Sequence, residues 1–200
     1  MKKLVLGAVL ALSASLASAA PIPTAVSTAS TGFNGSLQVL NDGIFPAEMS
    51  VWSSDKTLSW KGTDKAFTFS FGDLYRVDDV RLSVDNNDSY LLEYSLDNLS
   101  WTTLFAVAWH YGEVFWGMDT MSTHGGDLEY VSQLDFAPVE ARFARIMATG
   151  GDNLYAVGEV AFSGERVIQS TTASVPEPGM LALLAAGAAA FAMVRRRRMS

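Results

Sequence analysis

Strict alternation of apolar and polar residues in the middle of the chain is the feature that most limits what it can fold into. The segment Ala66–Phe71 (AFTFSF) places Phe67, Phe69 and Phe71 on one face. The segment Tyr90–Asp97 (YLLEYSLD) repeats the pattern, and its apolar face carries Tyr90, Leu92, Tyr94 and Leu96. A period of two residues is that of a β-strand with one face on a core and the other in water. Both segments are therefore predicted to be strands of a half-buried sheet.

Further strands are predicted in the same part of the chain, with turn-forming residues between them. The candidates are Val77–Val84, Trp101–Ala108, Glu129–Phe136, Arg142–Ala148 and Ala156–Phe162. Between them lie clusters of Asp, Asn and Gly, which favour turns, at 85–88, 97–98, 125–127 and 150–153. This region shows no sustained apolar stripe of helical period. Many short strands separated by turns predict an all-β protein, an antiparallel sandwich or jelly roll.

The first 19 residues have the three parts of a secretory signal peptide. Lys2 and Lys3 are followed by an apolar run from Leu4 to Leu12, and small residues end at Ala17-Ser18-Ala19. A charged start, a short apolar stretch and an A-x-A site are typical of a signal that is cleaved on export. Residues 1–19 are therefore predicted to be a signal peptide. An uncleaved anchor is the alternative, and the A-x-A site argues against it.

The tail, residues 175–200, combines three features in a fixed order. They are the triplet Pro176, Glu177 and Pro178, a run of apolar or small residues from Gly179 to Val194, and the cluster Arg195, Arg196, Arg197 and Arg198. Two prolines keep the chain extended and readable by a protease. The apolar run would make a single helix of about 24 Å, short for a bilayer core of about 30 Å. The arginines would stay on the cytoplasmic side.

This tail resembles the PEP-CTERM sorting signal of exported proteins in Gram-negative bacteria. The resemblance implies recognition by a membrane-embedded exosortase, cleavage near Pro176–Pro178, and transfer to the cell surface or release. It also implies export through the inner membrane and a link to exopolysaccharide or biofilm. A permanent single-span membrane anchor is the alternative, and it differs only in lacking the cut.

Between the two ends, the composition changes twice. Residues 20–35 are rich in Ser, Thr, Ala and Pro and are predicted to be a flexible arm, and 167–174 are predicted to be a linker. The domain is thus placed at 36–166. Six of the 14 basic residues lie in the two end segments, so the remaining chain is more acidic than the overall charge of −7. Such a domain repels nucleic acid, and because the chain has no cysteine, no disulfide stabilises it.

A series of short motifs in the domain resembles the discoidin-like domains, the coagulation-factor type C group of the galactose-binding-like fold. In chain order they are Asn41–Gly43, Val51–Ser54, Ala66–Gly72, Val77–Leu82, Tyr94–Trp101, Ala141–Ile146 and Gly158–Gly164. Asn98 stands where the family usually has Gly in the Tyr94–Trp101 hairpin. The resemblance implies an eight-stranded antiparallel jelly-roll sandwich, which agrees with the alternation.

The same resemblance implies a structural Ca²⁺ ion. Several sugar-binding members hold Ca²⁺ with positions that match Asp42, Ser53 and Glu159. Carboxylates and loop carbonyls supply the six to eight oxygens that Ca²⁺ takes. The alternative is that Asp42 only forms an Asx turn and that Glu159 is a partly buried, hydrogen-bonded strand residue.

The residues that could carry function lie in a long segment from Trp109 to Gly126. It contains both histidines, His110 and His124, but no metal-binding or nucleophile motif of known spacing. Long loops with aromatic residues often bind ligands, and aromatic faces stack on sugar rings. The candidate ligand-binding residues are Trp109, Tyr111, Phe115 and Trp116. The alternative is that these side chains cap the open end of the sandwich.

Taken together, the sequence predicts an exported, non-enzymatic binding domain that is sorted to the envelope. Its predicted task is binding extracellular polysaccharide, or adhesion within a biofilm matrix. A structural matrix protein without a specific ligand is the first alternative. An enzyme that acts on glycans through surface carboxylates is a weaker one, since paired carboxylates are common in glycosidases.

Overall fold

A computed structural model describes residues 19–168. The predicted signal peptide, the C-terminal apolar helix, the sorting residues and nearly all of the linker lie outside these residues. Within them, no helix is long and apolar enough to cross a membrane.

The described chain is an all-β antiparallel sandwich of the jelly-roll type, as predicted. Its strands are β1 (Ala20–Pro21), β2 (Ala25–Ser27), β3 (Phe33–Asn34), β4 (Leu58–Lys61), β5 (Ala66–Asp85), β6 (Ser89–Ser95), β7 (Thr102–Val107), β8 (Met118–Ser122), β9 (Val139–Gly150) and β10 (Leu154–Arg166). Two short 3₁₀ turns, Leu37–Leu40 and Ser132–Leu134, complete it. Every pairing between these strands is antiparallel.

The long strand β5 belongs to both layers of the sandwich. Its first part, Ala66–Ser70, pairs with β9 and β2, and its last part pairs with β10 and β8. Between them, residues 75–77 pair with β9 on one side and with β10 on the other. The register against β9 breaks between Ser70 and Tyr75, where Gly72 has a φ of +74°. Strands β6 and β7 extend the first layer from β9, and β4 and β3 extend the second from β10. The two layers are thus hydrogen-bonded into one continuous sheet that folds on itself.

The core lies between the layers and is dominated by aromatic contacts. Phe67, Phe69 and Phe71 are all buried, as the alternation predicted. The ring of Phe69 lies 5.3 Å from that of Phe162 on β10, and the ring of Phe67 lies 4.9 Å from that of Trp60 on β4. Such tilted and edge-to-face pairs stabilise a core beyond the burial of their area.

The second alternating segment is confirmed over β6 but not beyond it. Tyr90 and Leu92 are buried, whereas Leu96 is 54% exposed. Strand β6 ends at Ser95, and the following turn is built by Asp97, whose carboxylate accepts hydrogen bonds from the N–H groups of Leu99 and Ser100. These bonds lower the pKa of Asp97 to about 2. Asn98 has a φ of +61°, a left-handed conformation that Asn tolerates better than most residues.

Two predictions within the domain are wrong. Glu129–Phe136 is not a strand: it holds one bridge, between Tyr130 and Ser122, and the 3₁₀ turn. Its buried apolar residues, Val131 and Leu134, are three apart, which is the spacing of a 3₁₀ helix. The segment 109–126 is not one loop, because β8 lies within it. All five residues of β8 are buried, and a strand covered on both faces shows no alternation.

The structure places residues 20–35, predicted to be a flexible arm, along the sheet. Strand β1 pairs with β10, β2 with β5 and β3 with β4. Ile22 is buried in the core, and its N–H donates to the carbonyl of Phe162 at 2.8 Å. Ser, Thr and Ala are weak strand signals on their own. Here the open edges of longer strands supply the pairing partners.

Two buried carboxylates lie at the turn between β5 and β6. Asp85 and Asp88 are 4% and 1% exposed, and burial raises their pKa values to about 6 and about 7. The N–H of Asp152 donates to Oδ1 of Asp88 at 3.2 Å. The hydroxyl of Tyr90 lies 3.4 Å from Oδ2 of Asp88, but it also donates to the carbonyl of Ala156 at the shorter distance of 2.9 Å. A tyrosine has one proton to give, so a protonated Asp88 is the better partner for that hydroxyl.

We predict that the protein is less stable at pH 8 than at pH 5 and that Asp88→Asn reduces this difference. An aspartate whose pKa is raised by folding holds its proton more tightly in the folded state. Its contribution to the free energy of unfolding is therefore lost as pH rises from about 4 through about 7. Asn can accept from Asp152 and donate to the Tyr90 hydroxyl without carrying a charge.

Urea unfolding at the two pH values measures this effect. After allowance for solvent screening, the variant should be about 1 kcal/mol more stable than the parent at pH 8 and nearly equal to it at pH 5. Asp55→Asn, at an exposed position, makes the same charge change without burial and is the control. Equal effects of the two substitutions would mean that burial of Asp88 is not the cause.

Candidate functional site

The aromatic loop, residues 108–117, connects β7 to β8 and carries all four predicted ligand-binding residues. Trp109 is 64% exposed, Phe115 is 82% exposed and Trp116 is 46% exposed. Large apolar side chains left in water on one short loop are a feature of binding surfaces. The structure thus places three of the four candidates in solvent on the same loop.

Tyr111, the fourth candidate, is partly buried and packs against the hydrophobic core. Its ring lies 5.0 Å from that of His110, which in turn lies 5.2 Å from the ring of Trp109. Tyr111 therefore fits the alternative explanation, in which aromatic side chains cover the end of the sandwich. The other predicted residues do not share that role.

The aromatic loop is fastened at both ends to the turn between β5 and β6. The N–H of Trp109 donates to the Ser89 hydroxyl at 3.2 Å. Asn86 donates through its side chain to the carbonyl of Val114 and through its backbone N–H to that of Gly117, both at 3.0 Å. The loop is thus held by hydrogen bonds to the scaffold although its aromatic side chains face solvent.

A second segment, residues 48–51, lies against the end of the aromatic loop. The N–H of Met49 donates to the carbonyl of Met118 at 2.9 Å, and the N–H of Met118 donates to that of Ser50 at 3.0 Å. Gly117 has a φ of +74°, and a side chain there would collide with the Ser50 carbonyl. Met49 and Val51 are 43% and 55% exposed, so this segment adds apolar surface beside Trp116.

Four acidic side chains gather next to the aromatic loop, and sequence reasoning missed them. Carboxylate oxygens of Glu48, Glu113 and Glu129 lie within 4.8 Å of one another. Asp119, on β8, is completely buried. Burial raises the pKa of Glu113 to about 7, with the neighbouring Glu129 adding to the effect. The four residues come from separate segments, and their spacing in the sequence matches no known motif. In the sequence, only the acidic charge of the domain indicated that carboxylates could gather.

The predicted metal ligands are brought together only in part. The N–H of Gly43 donates to Oε2 of Glu159, and the N–H of Ile44 donates to Oδ1 of Asp42, both at 2.9 Å. Burial raises the pKa of Glu159, and the charge of Asp42 adds to this. Asp42 and Glu159 are thus neighbours, and Glu159 is buried. Ser53 lies in an exposed turn, and neither of these hydrogen bonds involves it.

A groove on another part of the sandwich contains the second histidine. A cavity of about 360 Å³ is lined by Asp79, Arg81, His124 and Asp127, among others. The guanidinium of Arg81 lies 4.7 Å above the ring of Phe45 and 3.7 Å from Asp127. His124 therefore does not share the aromatic loop with His110. The two histidines of the predicted long loop are separated by β8.

Comparison with known sequences identifies the end of the chain. Residues 174–198 match the PEP-CTERM protein-sorting motif. They include Pro176, Glu177, Pro178 and the four arginines, which lie outside the described structure. This motif implies secretion and membrane-anchored sorting in Gram-negative bacteria. A search among curated proteins finds no match to the chain.

Comparison with solved structures concerns the sandwich. A truncated AlyQ with CBM32 and alginate lyase domains superposes with a TM-score of 0.51 at 16% identity, over 76% of this chain. This chain spans 34% of that structure's length. The isolated CBM32 of AlyQ, solved with 4,5-unsaturated mannuronic acid, gives a TM-score of 0.48 at 16% identity and covers 72% of this chain and 97% of its own. CBM32-1 of a family 31 glycoside hydrolase from Clostridium perfringens gives a TM-score of 0.47 at 16% identity and covers 71% of this chain and 96% of its own. This chain thus combines a sandwich with the CBM32, or discoidin-like, fold with a PEP-CTERM protein-sorting motif at 174–198.

Proposed function

We propose that this protein binds extracellular carbohydrate through the aromatic loop and is sorted to the cell envelope by its tail. The observation that carries the proposal is the exposure of Trp109, Phe115 and Trp116 on a loop that is hydrogen-bonded to a rigid sandwich. Loops positioned by a rigid scaffold are common sites of recognition. The similarity of the fold to carbohydrate-binding modules supports sugar as the ligand class.

The physical basis of such binding is stacking of a flat aromatic face on a pyranose ring. Burial of the sugar's C–H faces against an indole removes apolar surface from water and adds weak C–H/π attraction. Because the ends of the loop are fixed by Asn86 and Ser89, less conformational freedom is lost when a sugar binds. Hydroxyl groups at the edge of the ring would meet polar side chains such as Glu113, on the same loop.

We expect the substitutions Trp109→Ala and Trp116→Ala each to weaken glycan binding by about tenfold or more, the equivalent of losing about 1.4 kcal/mol of binding free energy. A glycan array identifies the ligand, and calorimetry with the best glycan measures the affinity. Leu99→Ala, at an 83% exposed apolar position in another turn, is the matched control and should bind normally. Tyr111→Ala should lower thermal stability, because that ring packs on the core.

The outcomes of this experiment separate the proposal from its alternatives. Binding that survives loss of both tryptophans would move the site elsewhere on the sandwich. No binding to any glycan would favour a structural matrix protein without a specific ligand. Release of sugar from a polysaccharide panel would favour an enzyme acting through its carboxylates.

The tail decides where binding takes place. We propose that an exosortase-type protease cleaves near Pro176–Pro178, so that the domain is first held at the inner membrane and then reaches the cell surface or the medium. Adhesion, or a place in a biofilm matrix, would follow from glycan binding at that location. The strongly acidic domain suits a soluble exported protein.

Intact-mass analysis of the protein recovered from a Gram-negative host with an exosortase should show loss of Arg195–Arg198. The substitution of Pro176 and Pro178 by Ala should leave the tail attached, because the extended backbone that the protease reads is lost. Mature protein that still carries the four arginines in the unaltered chain would instead support a permanent anchor.

We further propose that Asp42 and Glu159 hold a structural Ca²⁺ ion, as the discoidin-like resemblance implies. Their proximity and the burial of Glu159 suit an oxygen-ligand site that ties the turn after Leu37–Leu40 to β10. Loop carbonyls would supply the remaining ligands.

If so, chelator should lower the melting temperature of the parent protein by several degrees, and Glu159→Gln should reduce that shift while leaving the Gly43 hydrogen bond intact. A variant that keeps the same chelator sensitivity would argue that Glu159 is only a hydrogen-bonded strand residue.

A further inference from the structure

Three glutamate carboxylates meet beside the aromatic loop, and the buried Asp119 lies near enough for their charges to act on it. Glu48 is held there by the hydrogen bonds between Met49–Ser50 and Met118. Glu129 is held by the bond from the N–H of Ser122 to its own carbonyl, at 2.7 Å. Glu113 comes from the loop itself, and Asp119 from β8. The backbone therefore fixes the position of three of the four residues.

The oxygens of this acidic cluster (Glu48, Glu113, Asp119 and Glu129) include several that nothing satisfies. Both oxygens of Asp119 and Oε1 of Glu48 are shielded from solvent and have no hydrogen-bond partner within the described chain. Asp119 is 0% exposed. A buried carboxylate without partners costs several kcal/mol, so such a group normally has a ligand that the protein chain does not provide.

The surroundings of Asp119 disfavour the charged form of its carboxyl group. Burial raises its pKa to about 6, and the charges of Glu48 and Glu129 raise it further. The N–H groups of Val114 and Thr120 offset this in part, although neither makes a hydrogen bond of good geometry to the carboxylate. Gly112 of the aromatic loop lies directly against Asp119, and any side chain at that position would collide with its carboxylate.

No basic side chain compensates this charge. The ion pairs found between residues 19 and 168 involve other acids, Arg81 for example pairing with Asp127. Four like charges brought together by the fold repel one another, and at neutral pH they favour either a bound proton or a bound cation. The three glutamates are close enough to share one cation. Oxygens around Ca²⁺ lie about 2.4 Å from the ion, so its ligands can be no more than about 4.8 Å apart, and the carboxylate oxygens of Glu48, Glu113 and Glu129 all lie within that distance of one another.

We propose that Glu48, Glu113 and Glu129, beside the buried Asp119, bind a divalent cation, and that Ca²⁺ is the ion their all-oxygen ligand set fits best. This site is separate from the Asp42–Glu159 pair, since it shares no residue with it. Softer metals would require histidine or thiolate ligands, and neither of the chain's histidines is part of the cluster. The three glutamates would supply carboxylate oxygens, Asp119 would add negative charge beside them, and water would complete the coordination.

The cation would connect the aromatic loop to the sandwich. Glu113 lies two residues from Phe115 and three from Trp116 in the aromatic loop. Its proposed partners lie outside that loop: Glu48 in the segment 48–51 and Glu129 in the segment after β8. Bound Ca²⁺ would therefore hold the exposed aromatic side chains in place. This consequence rests on the proposed function, because it links the ion to carbohydrate affinity. The cation site itself does not depend on it.

Calcium titration of the full-length protein by calorimetry tests the site, with Tb³⁺ luminescence excited through tryptophan as a second readout. The double variant Glu113→Gln, Glu129→Gln should bind Ca²⁺ at least about tenfold more weakly at this site and lose the sensitised luminescence that arises near Trp116. Glu140→Gln, at an exposed position outside the cluster, should leave both signals unchanged. Glu159→Gln removes the other proposed site and should leave this one intact.

Calcium uptake that is unaffected by the double variant, or no uptake at all, would overturn the proposal. Melting curves without Ca²⁺ check that the double variant is folded. Because two repelling charges are removed, the variant should be at least as stable as the parent. Asp119→Asn is a second, independent variant with the same expected loss of Ca²⁺ affinity. Glycan affinity measured with and without Ca²⁺ is a separate readout, so failure of carbohydrate binding would not be mistaken for failure of the cation site.

Discussion

The structure depends on one long strand that is hydrogen-bonded to four others along its length. Strand β5 pairs with β2 and β9 in one layer and with β8 and β10 in the other. Its aromatic residues, Phe67, Phe69 and Phe71, form the centre of the core between those layers. Because a single strand serves both layers, the two sheets cannot separate without breaking its pairing. With no cysteine in the chain, this continuity and the aromatic packing hold the domain together.

The end of β5 also positions the aromatic loop. The turn that follows it, Asp85–Asp88, leads into β6 and fixes the aromatic loop through Asn86. Asp85 and Asp88 are buried at the same turn, which costs stability at high pH. A turn that fastens a neighbouring loop is common where a rigid scaffold supports a binding surface.

The CBM32-like fold and the candidate site carry different kinds of information. A likeness at 16% identity concerns how the strands are arranged, and sandwiches of this kind can carry unrelated sites on their loops. The exposed tryptophans and the acidic cluster are features of this chain's own loops. The identity of the ligand therefore depends on those side chains rather than on the fold.

Local patterns in the sequence were enough to predict several features of this protein. Alternation in 66–71 and 90–95 predicted the strands, because the period of a half-buried strand is written in adjacent residues. The motif at 174–198 could be read directly, because a sorting signal acts as a linear segment. Only the tertiary structure decided that β8 lies inside the apparent long loop, that residues 20–35 join the sheet, and that Glu48, Glu113, Asp119 and Glu129 meet. These depend on pairing and packing between segments far apart in the chain, and no local pattern specifies which distant partners come together.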